Sequence, residues 1–361
     1  MAVTTNKEFE QKYLGHLNDY TTAIAWSNQG NILAATSAAG EVVLWNDGEI
    51  KNLATASDAS VDCAVFSHDG EFLAVGGQNG QVKIWQIQSW EQIELITTLE
   101  NAPKWVDKMV WNPTKNQLAY NLGQYLQIWD TESQSVIVTL NFENSSVLSI
   151  AWRNDGKYLA VGGNQGVKIW DCEDWDAEPY FLNMPTVSLA IAWSPDGKFF
   201  ASGNMDFTLS VYESSYIPSE DPQPWIMRGF PGKLRQIAWS NLRNSSNVPL
   251  LATSSVEGMV VWEKSKDESL GWEATVLTNH VDIIQDISFA PNSLLLASVA
   301  SDGWLCLWKS AKRVSQVLTG STGGFSCLAW HPQGKLLAAG GDQGEILIWS
   351  KIQRTQGFSK K

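Results

Sequence analysis

The chain has 361 residues, 44% of them hydrophobic and 17% charged, enough apolar material for a large core and unlike the composition of a disordered chain. Its formal net charge of −13 argues against a nucleic-acid or anionic-membrane partner, since both need clustered Lys and Arg. No run approaches roughly 18 apolar residues and the opening stretch has no apolar signal core, so the expectation is a cytoplasmic protein with no membrane insertion.

In chain order, residues 6–16 come first; Phe9, Tyr13 and Leu14 make them a plausible strand that belongs to no repeat. From residue 17 to 350 one pattern recurs eight times. Its middle strand holds a bulky residue followed by Ala: Leu33-Ala34, Leu73-Ala74, Leu118-Ala119, Leu159-Ala160, Phe200-Ala201, Leu251-Ala252, Leu296-Ala297 and Leu337-Ala338. Ten or eleven residues beyond each Ala stands an aromatic: Trp45, Trp85, Trp129, Trp170, Tyr212, Trp262, Trp308 and Trp349. Another aromatic closes the strand before: Trp26, Phe66, Trp111, Trp152, Trp193, Trp239, Phe289 and Trp330.

Strand-length apolar runs, parted by turns such as Pro291-Asn292-Ser293 and Asp302-Gly303, return about every 40 to 50 residues, the period of a four-stranded propeller blade. The expected fold is all-β, a single closed β-propeller of eight four-stranded antiparallel blades. No linker interrupts the repeat, so residues 1–361 read as one domain. A small residue (Ala25, Ala151, Ala192, Ala238, Ala329) precedes the first-strand aromatic. Alternation along the strand then puts bulk on one sheet face and a hollow on the other, which lets neighbouring blades fit face to face. Of the remaining tryptophans, Trp90, Trp175, Trp225 and Trp272 are expected to cover blade edges.

The four cysteines, Cys63, Cys172, Cys306 and Cys327, show neither C-x-x-C nor zinc spacing, so free thiols are expected, with no metal and no cofactor. His68 and His331 fall in turns between first and second strands and read as solvated.

These units resemble the repeats of the WD-repeat β-propeller family. Trp-Asp, the family's repeat ending, stands at Trp129-Asp130 and Trp170-Asp171, and Gly-His at Gly15-His16. The family's hydrogen-bond set of His, Ser, Asp and Trp is matched by His280, Ser298, Asp302 and Trp308. The resemblance implies that an N-terminal strand, here residues 6–16, completes a last blade lacking a fourth strand of its own. Seven blades, the family's commoner number, is the alternative count. Residues 354–361 are expected to fray.

The resemblance further implies a non-catalytic scaffold for one or more protein or peptide partners, monomeric by itself. Its working face would be one mouth of the central channel, built by the loops before first strands and the turns between second and third strands. Candidate lining there is Asp62, Trp105, Asp107, Tyr125, Lys233, Arg235, Trp304, Phe325 and Asp342. Lys233, Arg235, Trp304 and Phe325 are expected along one arc, where aromatics and Arg are the residue types of binding hot spots. The alternative function is a propeller enzyme with a carboxylate or metal site drawn from Asp62, Asp107 and Asp286. No GxxxxGK[ST], GxSxG or HExxH motif accompanies it. The opposite face carries irregular stretches, residues 218–224, 240–248 and 263–269, as a second possible interface.

Overall fold

The computed structural model describes residues 7–143, 145–184, 186–217 and 222–352. Eight four-stranded antiparallel sheets follow one another around a ring, over residues 21–54, 61–100, 109–141, 149–183, 188–227, 234–278, 284–318 and 325–351, numbered here as blades 1 to 8. Blades 1 to 7 each use four consecutive strands. Blade 8 has three, and its outermost strand is Phe9–His16, paired antiparallel with Glu345–Lys351. The expected tail at 354–361 lies outside the described residues. Among the described residues the helices are two three-residue 3-10 turns, and no helix is long and apolar enough to cross a membrane.

The three sequence anchors become cross-strand neighbours. In blade 1, Trp26 faces Leu33 and Leu33 faces Trp45. The same row runs Phe66–Leu73–Trp85, Trp111–Leu118–Trp129, Trp152–Leu159–Trp170, Trp193–Phe200–Tyr212, Trp239–Leu251–Trp262, Phe289–Leu296–Trp308 and Trp330–Leu337–Trp349. Directly paired residues in an antiparallel sheet share a face, so each blade has a bulky face. The adjacent row, such as Ala25–Ala34–Leu44, makes a shallower one.

Blades pack by pressing the bulky face of one into the shallow face of the one before. Trp26, Leu33 and Trp45 of blade 1 share a core cluster with Ala338 and Ile348 of blade 8. Trp152, Leu159 and Trp170 of blade 4 likewise meet Ala119 and Ile128 of blade 3. Each of the eight core clusters straddles one such interface. All eight bulky-Ala pairs are 1% exposed or less.

A polar contact accompanies the fit. The indole N–H of Trp26, Trp111, Trp152, Trp239 and Trp330 donates to the main-chain carbonyl of Ala329, Val65, Val110, Ala192 and Ser288 respectively, at 3.1–3.4 Å. Each acceptor is the small residue before the first-strand aromatic of the preceding blade. Smallness there admits the indole, and the main-chain carbonyl accepts the hydrogen bond from its N–H. Trp193 lacks a partner for its N–H.

Ring closure uses a second device. Gln316, in the outer strand of blade 7 and buried, accepts the N–H groups of Glu8 and Phe9 at 2.8 and 2.9 Å and donates to the carbonyl of Phe9 at 2.7 Å. Phe9 itself is fully buried, 5.6 Å from the Trp330 ring. One side chain therefore clasps the N-terminal strand from the neighbouring blade.

Two local expectations are corrected. The polar stretch 240–248 is not all turn, because the first strand of blade 6 runs Leu234–Arg243 and the turn begins at Asn244, whose Oδ1 accepts from Ser246 and Val248. His331 is not solvated: it is 7% exposed, its ring 5.2 Å from that of Trp26, and burial lowers its pKa. His68 is half-buried. The edge tryptophans behave as covers; Trp175 meets Trp152 edge-on at 6.2 Å, and Trp272 is 9% exposed.

Two outcomes follow from these contacts. Trp152→Phe keeps the aromatic bulk but removes the donor, so urea unfolding should show a loss of about 1 kcal/mol, against about 3–5 kcal/mol for Trp152→Ala. Gln316→Leu should cost about 1–3 kcal/mol by stranding buried main-chain groups. Amide exchange should then accelerate first in Phe9–His16, and uniform exchange across all blades would show that the clasp is not what holds that strand.

Candidate functional site

Blade 7 carries the one fully assembled polar network of the family type among the described residues. His280 Nδ1 lies 2.9 Å from Asp302 Oδ2, and its Nε2 2.7 Å from Ser298 Oγ. The indole N–H of Trp308 donates to the same Ser298 Oγ at 2.8 Å. Burial lowers the His280 pKa, outweighing the opposite pull of Asp302. A neutral ring then has one consistent assignment: Nδ1–H donates to the carboxylate and Nε2 accepts from the serine hydroxyl. Asp302 also accepts from the N–H of Val281 at 3.1 Å and of Trp304 at 2.9 Å, tying the loop before the blade to its turn. This set positions backbone; it is not a reactive centre.

The channel mouth is walled by the first halves of the first strands. A vestibule of about 610 Å³ lies there, with aliphatic walls from Leu148, Ile150, Leu189, Ile191 and Ile237 and charged groups Asp107, Lys108, Lys233 and Arg235. Asp107 is engaged, bonding Lys108 Nζ at 3.0 Å and accepting from Asn121 Nδ2 at 2.6 Å. Lys233 and Arg235 are exposed, and no ion pair among the described residues includes either.

The expected arc does not assemble as a whole. Phe325 is fully buried, its ring 6.1 Å from Trp349 in the core between blades 7 and 8. It stands five residues before the first-strand aromatic, where other blades place Val106, Val147, Leu234 and Ile284, all 2% exposed or less. That register was available in the sequence and marks the position as core. Trp304 is half-buried, packs on the core between blades 6 and 7, and precedes the third strand, Leu305–Lys309.

Trp105 is 60% exposed, thrust out because the next residue, Val106, plugs the blade interface and bonds the Gly77 carbonyl at 3.1 Å. Tyr125, opening the third strand of blade 3, is 38% exposed. The mouth therefore offers Trp105 and Tyr125 near blade 3 and the cations on blade 6. The aliphatic wall, Lys108 and the apolar turn residues Met205, Phe207 and Val256 went unrecognised in the sequence. One signal was present: Leu148 and Leu189 share the position of Arg235, four residues before the first-strand aromatic.

The carboxylates proposed for an enzyme are separately occupied. Asp62 accepts from the Ser60 hydroxyl at 2.5 Å. Asp286 bridges two blades, accepting from the N–H of Ile287 at 2.8 Å and of Leu328 at 3.0 Å, and burial pushes its pKa up to about 6. Asp342 is raised by burial and by Glu345. Among the described residues no three His, Cys, Asp or Glu side chains group as a metal site.

Comparison with known proteins bears on this geometry. The model of the anaphase-promoting complex subunit 4 WD40 domain matches residues 24–114. The WD domain, G-beta repeat model matches 134–171, 185–213, 271–309 and 312–350. WD repeat and SOCS box-containing protein 1 from Danio rerio is 30% identical over 123 residues, and that from Homo sapiens 28%. In both, the match covers 33% of this chain and 28% of the relative. The chain's match thus spans under a third of those relatives. Among solved structures, Chaetomium thermophilum Sqt1 bound to the N-terminus of a ribosomal protein superposes with a TM-score of 0.80 at 16% identity, over 94% of this chain and 98% of that one. At that identity the likeness is one of fold.

The His280 network makes a pH prediction. Its folded pKa lies below the unfolded value of about 6.5, so between the two the unfolded state binds more protons. The stability that neutral His280 confers is complete above the unfolded value and is lost as pH falls through the folded one. The stability gap between wild type and His280→Gln, from urea unfolding, should narrow between about pH 7.5 and about pH 5. A gap that widens on acidification would mean that His280 is charged in the fold.

Proposed function

The chain belongs to the WD-repeat β-propeller family, and on that premise we propose that it is a protein-interaction scaffold whose channel mouth receives a segment of a partner protein. Interaction is the coarse function that the family supports. The finer reading rests on one observation: around a rigid ring, the mouth brings an open aliphatic vestibule together with two exposed cations that lack acidic partners. Exposed Trp105 and Tyr125 stand on the same face. Unmatched charge beside apolar surface is what a partner with complementary groups recognises, whereas isolated exposed residues carry no such meaning. The Sqt1 neighbour holds the N-terminus of another protein, which supports a peptide partner here. A cytoplasmic setting belongs to the same proposal and is supported by the free state of all four thiols.

The test compares two faces. Trp105→Ala and the pair Lys233→Glu/Arg235→Glu alter the mouth; Lys115→Glu with Lys335→Glu alters exposed turns on the other face. In quantitative co-purification, partners enriched by wild type should fall at least about tenfold with the mouth variants, as for lost hot spots. Their melting temperatures should stay unchanged and the opposite-face pair should retain the partners. Partner loss confined to the opposite-face pair would move the interface there.

A further inference from the structure

The turns between second and third strands differ around the ring in a way that packing does not explain. In blades 1, 2, 3, 7 and 8 the left-handed position at the turn is glycine: Gly40, Gly80, Gly123, Gly303 and Gly344, with φ of 82°, 75°, 65°, 77° and 84°. Blade 4 places the polar Gln165 there with φ 66°, whereas blade 5 places Phe207 with φ 66° and blade 6 Val256 with φ 48°. A bulky or β-branched side chain is strained in this region, where glycine is not. Nothing in the core compensates. Phe207 is 47% exposed and Val256 41%, neither belongs to any of the eight core clusters, and neighbouring Met205 is 41% exposed as well.

Both turns adjoin the segment that carries the two cations, blade 6 at its tip and blade 5 at its base. The Ser255 hydroxyl clasps Gly232, accepting its N–H at 3.1 Å and donating to its carbonyl at 2.8 Å. Val256 presses on that glycine so closely that a Cβ there would lie 2.7 Å from Val256 Cγ2. Lys233 is the next residue. From blade 5, Gly203 abuts Leu234, where a Cβ would sit 2.9 Å from the leucine's own. The segment Lys233–Leu234–Arg235 thus runs between the base of the blade 5 turn and the Val256 tip of the blade 6 turn, and its two cations line the vestibule. No acid nearby forms an ion pair with it among the described residues: Asp206 accepts from the Thr208 hydroxyl at 2.7 Å, Asp107 pairs with Lys108 at 3.0 Å, and exposed Glu257 pairs with neither cation.

We infer that Met205, Phe207 and Val256, with Lys233 and Arg235, form the docking site for an acidic peptide segment of another protein, one that sets a large apolar side chain on the turn tips and carboxylates on the two cations. This rests on the mouth being the interface and adds the partner's chemistry and its place on blades 5 and 6. Charge complementarity selects the occupant: two unmatched cations call for carboxylates, and the apolar tips beside them call for a hydrophobic neighbour. Backbone strain kept at exposed side chains fits binding better than folding.

The experiment selects a displayed random-peptide library against the wild-type chain, then measures the best synthetic peptide by fluorescence anisotropy. Selected peptides should pair Asp or Glu with Leu, Phe or Trp. Phe207→Gly, Val256→Gly and Lys233→Ala/Arg235→Ala should each weaken binding about tenfold or more. The two glycine variants should keep or raise the melting temperature, because glycine adopts the left-handed turn without strain; a structural role for these side chains would lower it. Basic or featureless selected peptides overturn the inference, as does a lowered melting temperature with binding intact. Peptide binding that ignores Phe207 and Val256 but is lost in Trp105→Ala overturns this patch and leaves the mouth reading standing. Binding lost only with Lys115→Glu and Lys335→Glu overturns both. A wild-type dimer that Phe207→Gly dissolves would show that the patch serves a second copy instead.

Discussion

The fit of a bulky blade face into the shallow face of its neighbour is what the rest of this structure depends on. Aromatic, bulky aliphatic and aromatic side chains form one cross-strand row, while Ala or another small residue forms the next. Each blade is thus a ridge on one side and a trough on the other, and the same fit recurs at all eight interfaces of the ring, the seam included. Tryptophan suits the ridge because it buries some 150–250 Å² and carries one donor that can cross the interface. The trough's main-chain carbonyl is the acceptor, and a large residue there would fill the space the indole enters. Chain continuity reinforces the fit. The matched windows 134–171, 271–309 and 312–350 each begin with the outer strand of one blade and end in the third strand of the next. One sequence repeat therefore stitches two blades together, and the displaced strand Phe9–His16 is the consequence at the seam.

Polar networks are secondary to that packing. The His280, Ser298, Asp302 and Trp308 set is complete in blade 7. Elsewhere the third-strand indoles of Trp45 and Trp129 are buried with no partner for their N–H. Leaving a buried donor unmet costs about 1–3 kcal/mol, which the area of an enclosed indole offsets. The blades stand with or without the network, so its role is to lock one loop to one turn.

The mouth inherits its chemistry from the same strands. Five residues before the first-strand aromatic a side chain enters the blade interface, and four before it the next side chain faces the channel. That single-residue step separates buried Phe325 from exposed Arg235. From blade 2 to blade 6 that position holds Asp62 and Asp107, then Leu148 and Leu189, then Arg235, so the vestibule runs from the paired Asp107 and Lys108 across an aliphatic middle to the unpaired Lys233 and Arg235. A rigid ring keeps those sectors apart, and the charges cannot collapse onto one another.

The sequence by itself determined the fold, because the anchors that repeat eight times are the residues whose burial holds the blades together. It also determined the His280 network, since four residue types at fixed offsets within one blade meet through local turns and adjacent strands. The site was less legible. Trp304 read as a surface aromatic because a hot spot and a core side chain have the same composition, and only packing on the blade 6 core tells them apart, whereas the register of Phe325 with Val106, Val147, Leu234 and Ile284 already marked it as core. Phe207 and Val256 read as ordinary turn residues, since their left-handed backbone and their exposure are properties of the folded turn. Tertiary structure alone decided which charges stayed unmatched. Ion pairing is set by distances across blades dozens of residues apart in the chain, and those distances exist only once the ring has closed.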